Sequence, residues 1–482
     1  MPQHHLTAPR GRSVVPRSIF LQGRFGRMFR TVPAFEPTDA DLDRLAATMV
    51  EVAAQPGQGW QPGQPQDLDN DNIPAGFTYI GQFIDHDITF DPVSSLQRQN
   101  DPDALHNFRT PRFDLDSVYG RGPNNDPFLY DQTSGGTKLL IGQLDNGEFD
   151  LPRNNQGRAL IGDPRNDENI IVAQLHLLFL LFHNKVVDEL GGGDGDAVFS
   201  EAQRIVRWHY QWVVVNDFLR RLVGDEVVDD ILTSVPYLTT GGAPAALKTI
   251  RLRFYGWQRQ PFMPVEFSVA AYRFGHSMIR PSYLFNSIVS ERPLFSPDPN
   301  AGPLDDLRGF RPLPTQWSFE WDFFFETGDG THLQSSRKID AKLAPPLQTL
   351  PGLDPADLAL RNLRRGRALS LPAGQDVARA MCLEPLTPEQ LALGDLAGAF
   401  GQQTPLWFYV LREADALEGG RRLGPVGGRI VAEVLLGLLK GDDTSFINVF
   451  PCWTPELPSA TAGTFTMADV INFAAPPGPP QG

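Results

Sequence analysis

Gly81-Gln82-Phe83-Ile84-Asp85-His86-Asp87 is the stretch on which the reading of this chain turns. Gln82, Asp85 and His86 stand at i, i+3 and i+4, so a helix would present all three on one face. Asp87 is turned by about 100° from His86 and would address a second site from the same turn. The first face offers an acid–base group and the second an oxygen ligand. Around them Phe77, Tyr79, Ile80, Phe83, Ile84, Ile88 and Phe90 are apolar, which predicts a mostly buried helix. Charge in such a place needs a partner or a metal. Without that apolar frame, the heptad would read as an amphipathic helix with a solvated polar edge.

With 45 glycines and 43 prolines in 482 residues, the chain reads as globular and rich in loops, short of the level that marks low complexity. Hydrophobic residues make up 41%, enough at this length to bury a large core and close a cofactor pocket. The net charge of −15 argues against nucleic acid or an anionic membrane as partner, since either would be repelled on average. A small molecule is the expected partner. Cys382 and Cys452 are the only cysteines, leaving room for one bridge or two free thiols. Residues 1–21 contain no apolar run of signal-peptide length. The longest apolar stretch, 170–182, is interrupted by Gln174 and His176 and is too short and polar to span a bilayer.

Residues 1–33 read as an extended arm, 34–475 as one domain and 476–482 as a Pro/Gly-rich tail. A capped helical pattern covers 38–51, and the Gln/Pro/Gly-rich run 55–76 reads as a loop. Helical periodicity recurs at 165–190, 200–223, 265–280, 356–368, 387–400 and 428–440. Alternating β patterns are few, and 191–196, 293–314 and 327–334 read as surface connections. The expected fold class is mainly α: one large helical domain with few short strands and long loops.

Further constellations carry chemistry. Thr110, Asp114 and Asp116 place oxygen-bearing side chains in one short loop, a spacing that suits a hard cation such as calcium, and Asp87 could add an oxygen from across the fold. Gly162-Asp163-Pro164-Arg165 reads as a helix start, with an acid at the N-cap and proline at N1. Arg165, Glu168 and Asn169 would then share one face. His276, in Tyr272-Arg273-Phe274-Gly275-His276, lies on a helix that Pro281 should end. His176 and His183 stand seven apart on one helix, but no nearby acid completes a tetrahedral metal set, so both read as packed residues.

These motifs resemble the animal-type haem peroxidases of the peroxidase-cyclooxygenase superfamily. Residues 81–87 resemble the family's distal-histidine helix. Residues 110–116, ahead of Val118-Tyr119-Gly120, resemble its calcium loop, with Arg112 and Asp116 standing where the family has phenylalanine and serine. Gly162-Asp163-x-Arg165-x-x-Glu168 resembles the helix of the distal arginine, and Arg273-x-Gly275-His276 the helix of the proximal ligand. Asn362 and Arg365 match the later helix whose asparagine accepts a hydrogen bond from the proximal imidazole. The five elements occur in family order.

The resemblance implies a haem b with His276 on the iron, Asn362 as its hydrogen-bond partner, Arg273 beside it and Arg365 on a propionate. His86 would serve hydrogen peroxide as base and then acid, Arg165 would stabilise the charge developing as the O–O bond breaks, and Gln82 would hold a water or small anion. Asp85 and Glu168 become sites for ester links to the haem. Asn169 replaces the methionine that gives some members a third link. Calcium would be bound by Asp87, Thr110, Arg112 (through its carbonyl), Asp114 and Asp116.

Expected reductants are bromide, iodide, thiocyanate or a phenol. One rival is a fatty-acid dioxygenase of the same superfamily, whose radical tyrosine stands three residues before the proximal histidine. This chain has Arg273 there, with Tyr272 one place off. A second rival is a non-catalytic haem- or calcium-binding interaction protein. The expected location is cytoplasmic or non-classically exported, in a bacterial member of the family.

Overall fold

The computed structural model describes residues 23–51, 68–89, 106–107, 109–238, 244–258, 260–296, 298, 300–328 and 330–474. Residues 1–22 of the expected arm, 55–67 of the expected loop, Phe90 and the 476–482 tail lie outside the described residues. Helices dominate: the longer ones are α1 (Asp39–Thr48), α2 (Gly76–Ile88), α3 (Ile170–Leu190), α4 (Gly195–Val213), α5 (Leu358–Ala368), α6 (Leu406–Glu418) and α7 (Pro425–Gly441). Strands are short and paired in small sheets. Gly23–Gly26 lies antiparallel to His106–Asn107 and parallel to Met263–Pro264, and Asp69–Pro74 pairs with Ser335–Arg337. A hairpin that the sequence reading did not anticipate joins Leu232–Leu238 to Pro244–Ile250.

α3 runs through the core. It is apolar on all sides because it is enclosed on all sides, by α2, α4 and Met467–Ala474. At 21 residues it exceeds the expected apolar stretch and matches a membrane span in length and hydropathy, yet 83% of its apolar window is buried within the protein. Its start differs from expectation. Asp163 caps only a short 3-10 turn, Pro164–Asp167, by accepting from Arg165 N (2.9 Å). Asn169 then begins α3 by accepting from Val172 N (2.9 Å). Two successive capping residues each start a helix, so the chain restarts, and Glu168 and Asn169 occupy the joint instead of sharing a face with Arg165.

α2 packs tightly at its first residue: a Cβ on Gly76 would lie 2.3 Å from Phe325 Cζ and 2.6 Å from Phe324 O. Thr89 closes the helix by turning its hydroxyl back to Asp85 O (2.9 Å). The helix expected over 265–280 is instead a π turn, Glu266–Ala270, followed by a 3-10 segment, Ala271–His276. Side chains take up carbonyls along it. Arg273 Nε donates to Ser268 O (2.9 Å), and Trp407 Nε1 on α6 donates to Arg273 O (3.1 Å). Such irregular helices persist where side chains replace the missing backbone bonds.

Three further readings are corrected. The helix over 387–400 breaks into short turns, Pro388–Leu391, Gly394–Leu396 and Ala397–Phe400. Residues 23–33 are not an extended arm, since Phe25 and Phe29 are buried and the amides of Met28 and Phe29 donate to the buried Glu266 (3.0 Å each). The 293–314 run is not a surface connection either. Asp306 and Leu307 have no exposed surface, and Leu307 O accepts from Ile170 N at the start of α3 (3.0 Å). Cys382 and Cys452 are not bridged to each other.

Core histidines make stability depend on pH. Burial pushes His176 down to about 3 and His183 and His209 to about 4. The unfolded chain protonates such imidazoles near pH 6.5 and the folded chain only near 3–4. At these imidazoles the unfolded state therefore binds more protons in that window, and the stability they contribute falls as pH drops from about 6.5 toward 4. Burial raises the carboxyls of Asp116, Asp340 and Glu413 to about 7, which acts in the opposite sense, so the imidazole effect is read in a variant. Between pH 7 and pH 5 the urea midpoint of His209→Phe apoprotein should fall less, or rise more, than that of wild type, and an equal change would contradict this.

Candidate functional site

His86 projects from the last turn of α2, 5% exposed, with Nδ1 2.7 Å from Asn166 Oδ1 and Nε2 3.7 Å from Glu168 Oε1. Burial lowers its pKa and the nearby Arg165 lowers it further, so the ring is neutral at neutral pH. One turn earlier, Gln82 donates to Glu168 and accepts from Asn169 Nδ2 (3.1 Å). Gln82 thus bridges α2 to the joint that precedes α3, and Asp85 lies between it and His86 on the same face. His276 ends the irregular 3-10 segment, with Nδ1 2.8 Å from Asn362 Nδ2 on α5. Burial pushes His276 down to about 3, leaving a neutral imidazole. With the Asn362 amide turned so that its oxygen accepts from Nδ1–H, His276 Nε2 presents a lone pair, the form a metal requires.

His86 and His276 line one cavity of about 900 Å³, together with Gln82, Asp85, Glu168, Asn169, Tyr272 and Arg273. Its volume lies at the upper end of the range for cofactor and ligand sites. The residues present fit a haem: two neutral imidazoles, each with Nδ1 engaged by an asparagine, an arginine beside one of them, and two carboxylates in the wall. Part of the wall comes from a segment that sequence reasoning missed. Arg308, Gly309, Phe310 and Arg311 line the cavity. The segment is held against the α3 joint by Phe310 N to Asp167 O (2.6 Å) and Gly309 N to Glu168 O (3.0 Å). Phe310 has φ +56°. Arg-Gly-Phe-Arg carries no periodicity, so only a backbone contact 140 positions away in sequence reveals it.

Two expected groups are placed elsewhere. Arg165 does not line the cavity. Its guanidinium lies behind the last turn of α2, donating to His86 O (2.9 Å), Thr89 O (2.6 Å) and Asp163 Oδ2 (2.8 Å). Arg365 is likewise absent from the lining, whereas Arg273 is present. His176 and His183 diverge: the first meets Asn166 Nδ2 (2.9 Å), the second Tyr119 Oη (3.1 Å) and Thr137 O (2.9 Å).

Asp87 points away from the cavity and joins Asp114 and Asp116, their ligand oxygens within 4.8 Å of one another. Thr110 Oγ1 donates to Asp114 Oδ2 (3.0 Å), Leu115 N to Asp87 Oδ2 (3.3 Å), and Arg112 N to Thr110 O (2.8 Å). Arg109 offsets part of the negative charge through Asp116 (3.0 Å). Burial and the neighbouring Asp114 and Asp116 push Asp87 well above the carboxylate range, and burial pushes Asp116 up to about 7 despite Arg109. Asp87 Oδ1 is buried, and the buried Tyr210 hydroxyl is its neighbour. Like charges packed so closely suit an oxygen-seeking divalent cation.

The profile of one family, animal haem peroxidase, matches residues 93–392, more than half of the chain, beginning just past α2. Among curated proteins, chorion peroxidase of Aedes aegypti is 24% identical over 323 residues, 64% of this chain and 36% of that protein. The chain therefore spans about a third of that relative's length. Among solved structures, peroxidase A of Dictyostelium discoideum aligns with a TM-score of 0.63 at 16% identity, over 94% of this chain and 93% of that one. The fatty acid alpha-dioxygenase of Oryza sativa aligns with a TM-score of 0.56 at 17% identity, covering 92% and 80%.

Gly309 is a sharp test of how the cavity wall is held. An added Cβ would lie 1.9 Å from Asp167 O, so Gly309→Ala must part the 308–311 segment from the α3 joint. The variant should retain haem more weakly than wild type in a Soret titration; equal retention would show that the wall does not need this contact.

Proposed function

Because the chain belongs to the animal haem peroxidase family, we propose that it is a haem-dependent peroxidase that reduces hydrogen peroxide. The observation that carries this reading is the pairing of His86 and His276 in one cavity, each with its Nδ1 engaged by a buried asparagine. His276 would hold the haem iron, with Asn362 orienting the imidazole and Arg273 beside it. When bound, the haem supplies the iron centre that accepts electrons from the organic or inorganic reductant and delivers them to peroxide.

The chain's own groups perform the proton chemistry. His86, kept neutral by burial and by Arg165, takes a proton from peroxide at Nε2 and returns it to the departing oxygen. Arg165 acts from behind, fixing the turn through the carbonyls of His86 and Thr89 and keeping a positive charge near the base. Gln82, locked to Glu168 and Asn169, sets the polar edge of the cavity next to His86. Asp85 and Glu168 are the carboxylates placed for ester links. Bromide, iodide, thiocyanate or a phenol are the proposed reductants. Asp87, Asp114 and Asp116 would hold calcium, with Thr110 and the Arg112 turn completing the shell, and so brace the helix that carries His86.

A fatty-acid oxygenase is kept as a second reading by one observation. Tyr272 lines the same cavity, its hydroxyl donating to Gly81 O (3.2 Å). Fatty-acid-dependent oxygen uptake that is lost in Tyr272→Phe would favour it.

His86→Ala should lower peroxide-driven turnover by about 10²–10⁴-fold while the Soret band persists, and His276→Ala should lose the band. Full turnover by His86→Ala would refute the assignment. In the wild type the acid limb of turnover should lie below pH 6.5, because the lowered pKa keeps His86 unprotonated there. After brief exposure to peroxide, a Soret band that resists acidified acetone would establish the ester links, and one that washes out would exclude them.

Chelation tests the acid cluster. EDTA should lower the melting temperature of the wild type by a few degrees, through loss of a ligand bound only by the folded state, and added calcium should restore it. Asp87→Asn should respond to neither; an identical response from wild type and variant would exclude Asp87 as a ligand.

A further inference from the structure

His86, Asn166 and His176 form a hydrogen-bonded chain of which the roles above use only the first contact. His86 Nδ1 lies 2.7 Å from Asn166 Oδ1, and Asn166 Nδ2 lies 2.9 Å from His176 Nδ1. The three residues are 5%, 0% and 0% exposed, and they come from three different pieces: α2, the Pro164–Asp167 turn and α3. An amide oxygen only accepts and an amide nitrogen only donates. With the Asn166 amide standing as it does, Oδ1 toward His86 and Nδ2 toward His176, the chain runs in one direction, with His86 Nδ1–H donating to Asn166 and Asn166 donating to His176.

His86 Nε2 is left with its lone pair, with Glu168 Oε1 3.7 Å away. We propose that Asn166 and His176 are positioning residues that hold His86 in the Nδ1–H tautomer, so that Nε2 meets peroxide as a base. The proposal rests on the peroxidase reading above. Turning the Asn166 amide end for end would reverse both rings, placing a proton on His86 Nε2 and leaving no base in the cavity.

The surroundings hold each member still. Asn166 N donates to Asp163 O (3.1 Å) within the turn, and Arg165, the preceding residue, grips the carbonyl of His86 (2.9 Å). The His176 ring meets Phe83 edge-on, with centroids 6.2 Å apart. Burial pushes His176 down to about 3, so it stays neutral and keeps an acceptor nitrogen for Asn166. Its Nε2 has no hydrogen-bond partner among the described residues. The chain ends there, which fits a device that orients His86 and not a wire that carries protons to solvent.

The test reads the tautomer directly, in the apoprotein. With histidines labelled with nitrogen-15, long-range proton–nitrogen spectra should show His86, assigned by its loss in His86→Ala, in the Nδ1–H form. Asn166→Leu and His176→Phe should shift it toward Nε2–H. In the haem-loaded protein, Asn166→Leu should slow cyanide and peroxide association about tenfold at an unchanged Soret band. Asn166→Asp, which keeps an acceptor for His86 Nδ1–H, should restore most of the rate.

Wild-type His86 in the Nε2–H form would overturn the proposal. So would tautomer and association rates unmoved in Asn166→Leu while His86→Ala loses the reaction, an outcome that leaves the peroxidase reading standing. If His86→Ala itself leaves peroxide association intact, the peroxidase reading fails with the proposal.

Discussion

Asp163 is the carboxylate on which the site depends. It has no exposed surface, and burial alone would drive it neutral. Arg165 and Arg109 instead hold it well below the ordinary range. Arg109 reaches it at 2.6 Å and Arg165 at 2.8 Å. Each arginine carries the charge onward, Arg109 to Asp116 in the acid cluster and Arg165 to the carbonyls that end α2. One buried anion thereby ties together the acid cluster, the distal helix and the turn that carries Asn166. Removing both guanidinium groups would leave a buried charge without a partner, a loss of about 3–5 kcal/mol.

Close backbone packing supports the same junction. A Cβ on Gly162 would lie 2.4 Å from Ser117 O, so the residue before Asp163 must be glycine for the two loops to meet. A few residues on, the 308–311 segment closes on the α3 joint through backbone bonds. The distal half of the cavity is thus built from loops and helix ends, whose free N–H and C=O groups are paired with one another or with arginines. The proximal half uses a different device. A π turn followed by a 3-10 segment brings His276 to the cavity, with Arg273, Trp407 and Asn362 supplying bonds that a regular helix would have made internally or not at all.

A single helical turn serving two sites explains why His86 and Asp87 are adjacent. His86 faces the cavity, Asp87 faces the acid cluster, and both depend on Arg165 and Arg109 through Asp163. One peptide bond joins His86, on the cavity wall, to Asp87, in the acid cluster, so the two side chains are positioned by the same turn of helix.

Much of this was legible in order and type of residue. The sidedness of Gln82, Asp85, His86 and Asp87 follows from helical geometry, the burial of α2 and α3 from their apolar content, and the meeting of His276 with Asn362 from resemblance alone. Local pattern could not give the break at Glu168 and Asn169, because two good caps in succession compete and only packing decides which helix survives. Nor could it give the position of Arg165, whose fork has partners on α2 nearly eighty residues earlier, or the wall at 308–311, which has no periodicity to read. The sequence by itself determined a mainly helical chain, its paired imidazoles and its cluster of acids, since those depend on residue identity and short-range geometry. Only the tertiary structure decided which side of α2 the arginine takes, that an amide joins His86 to His176, and which loop closes the cavity, because each rests on contacts between segments distant in the chain.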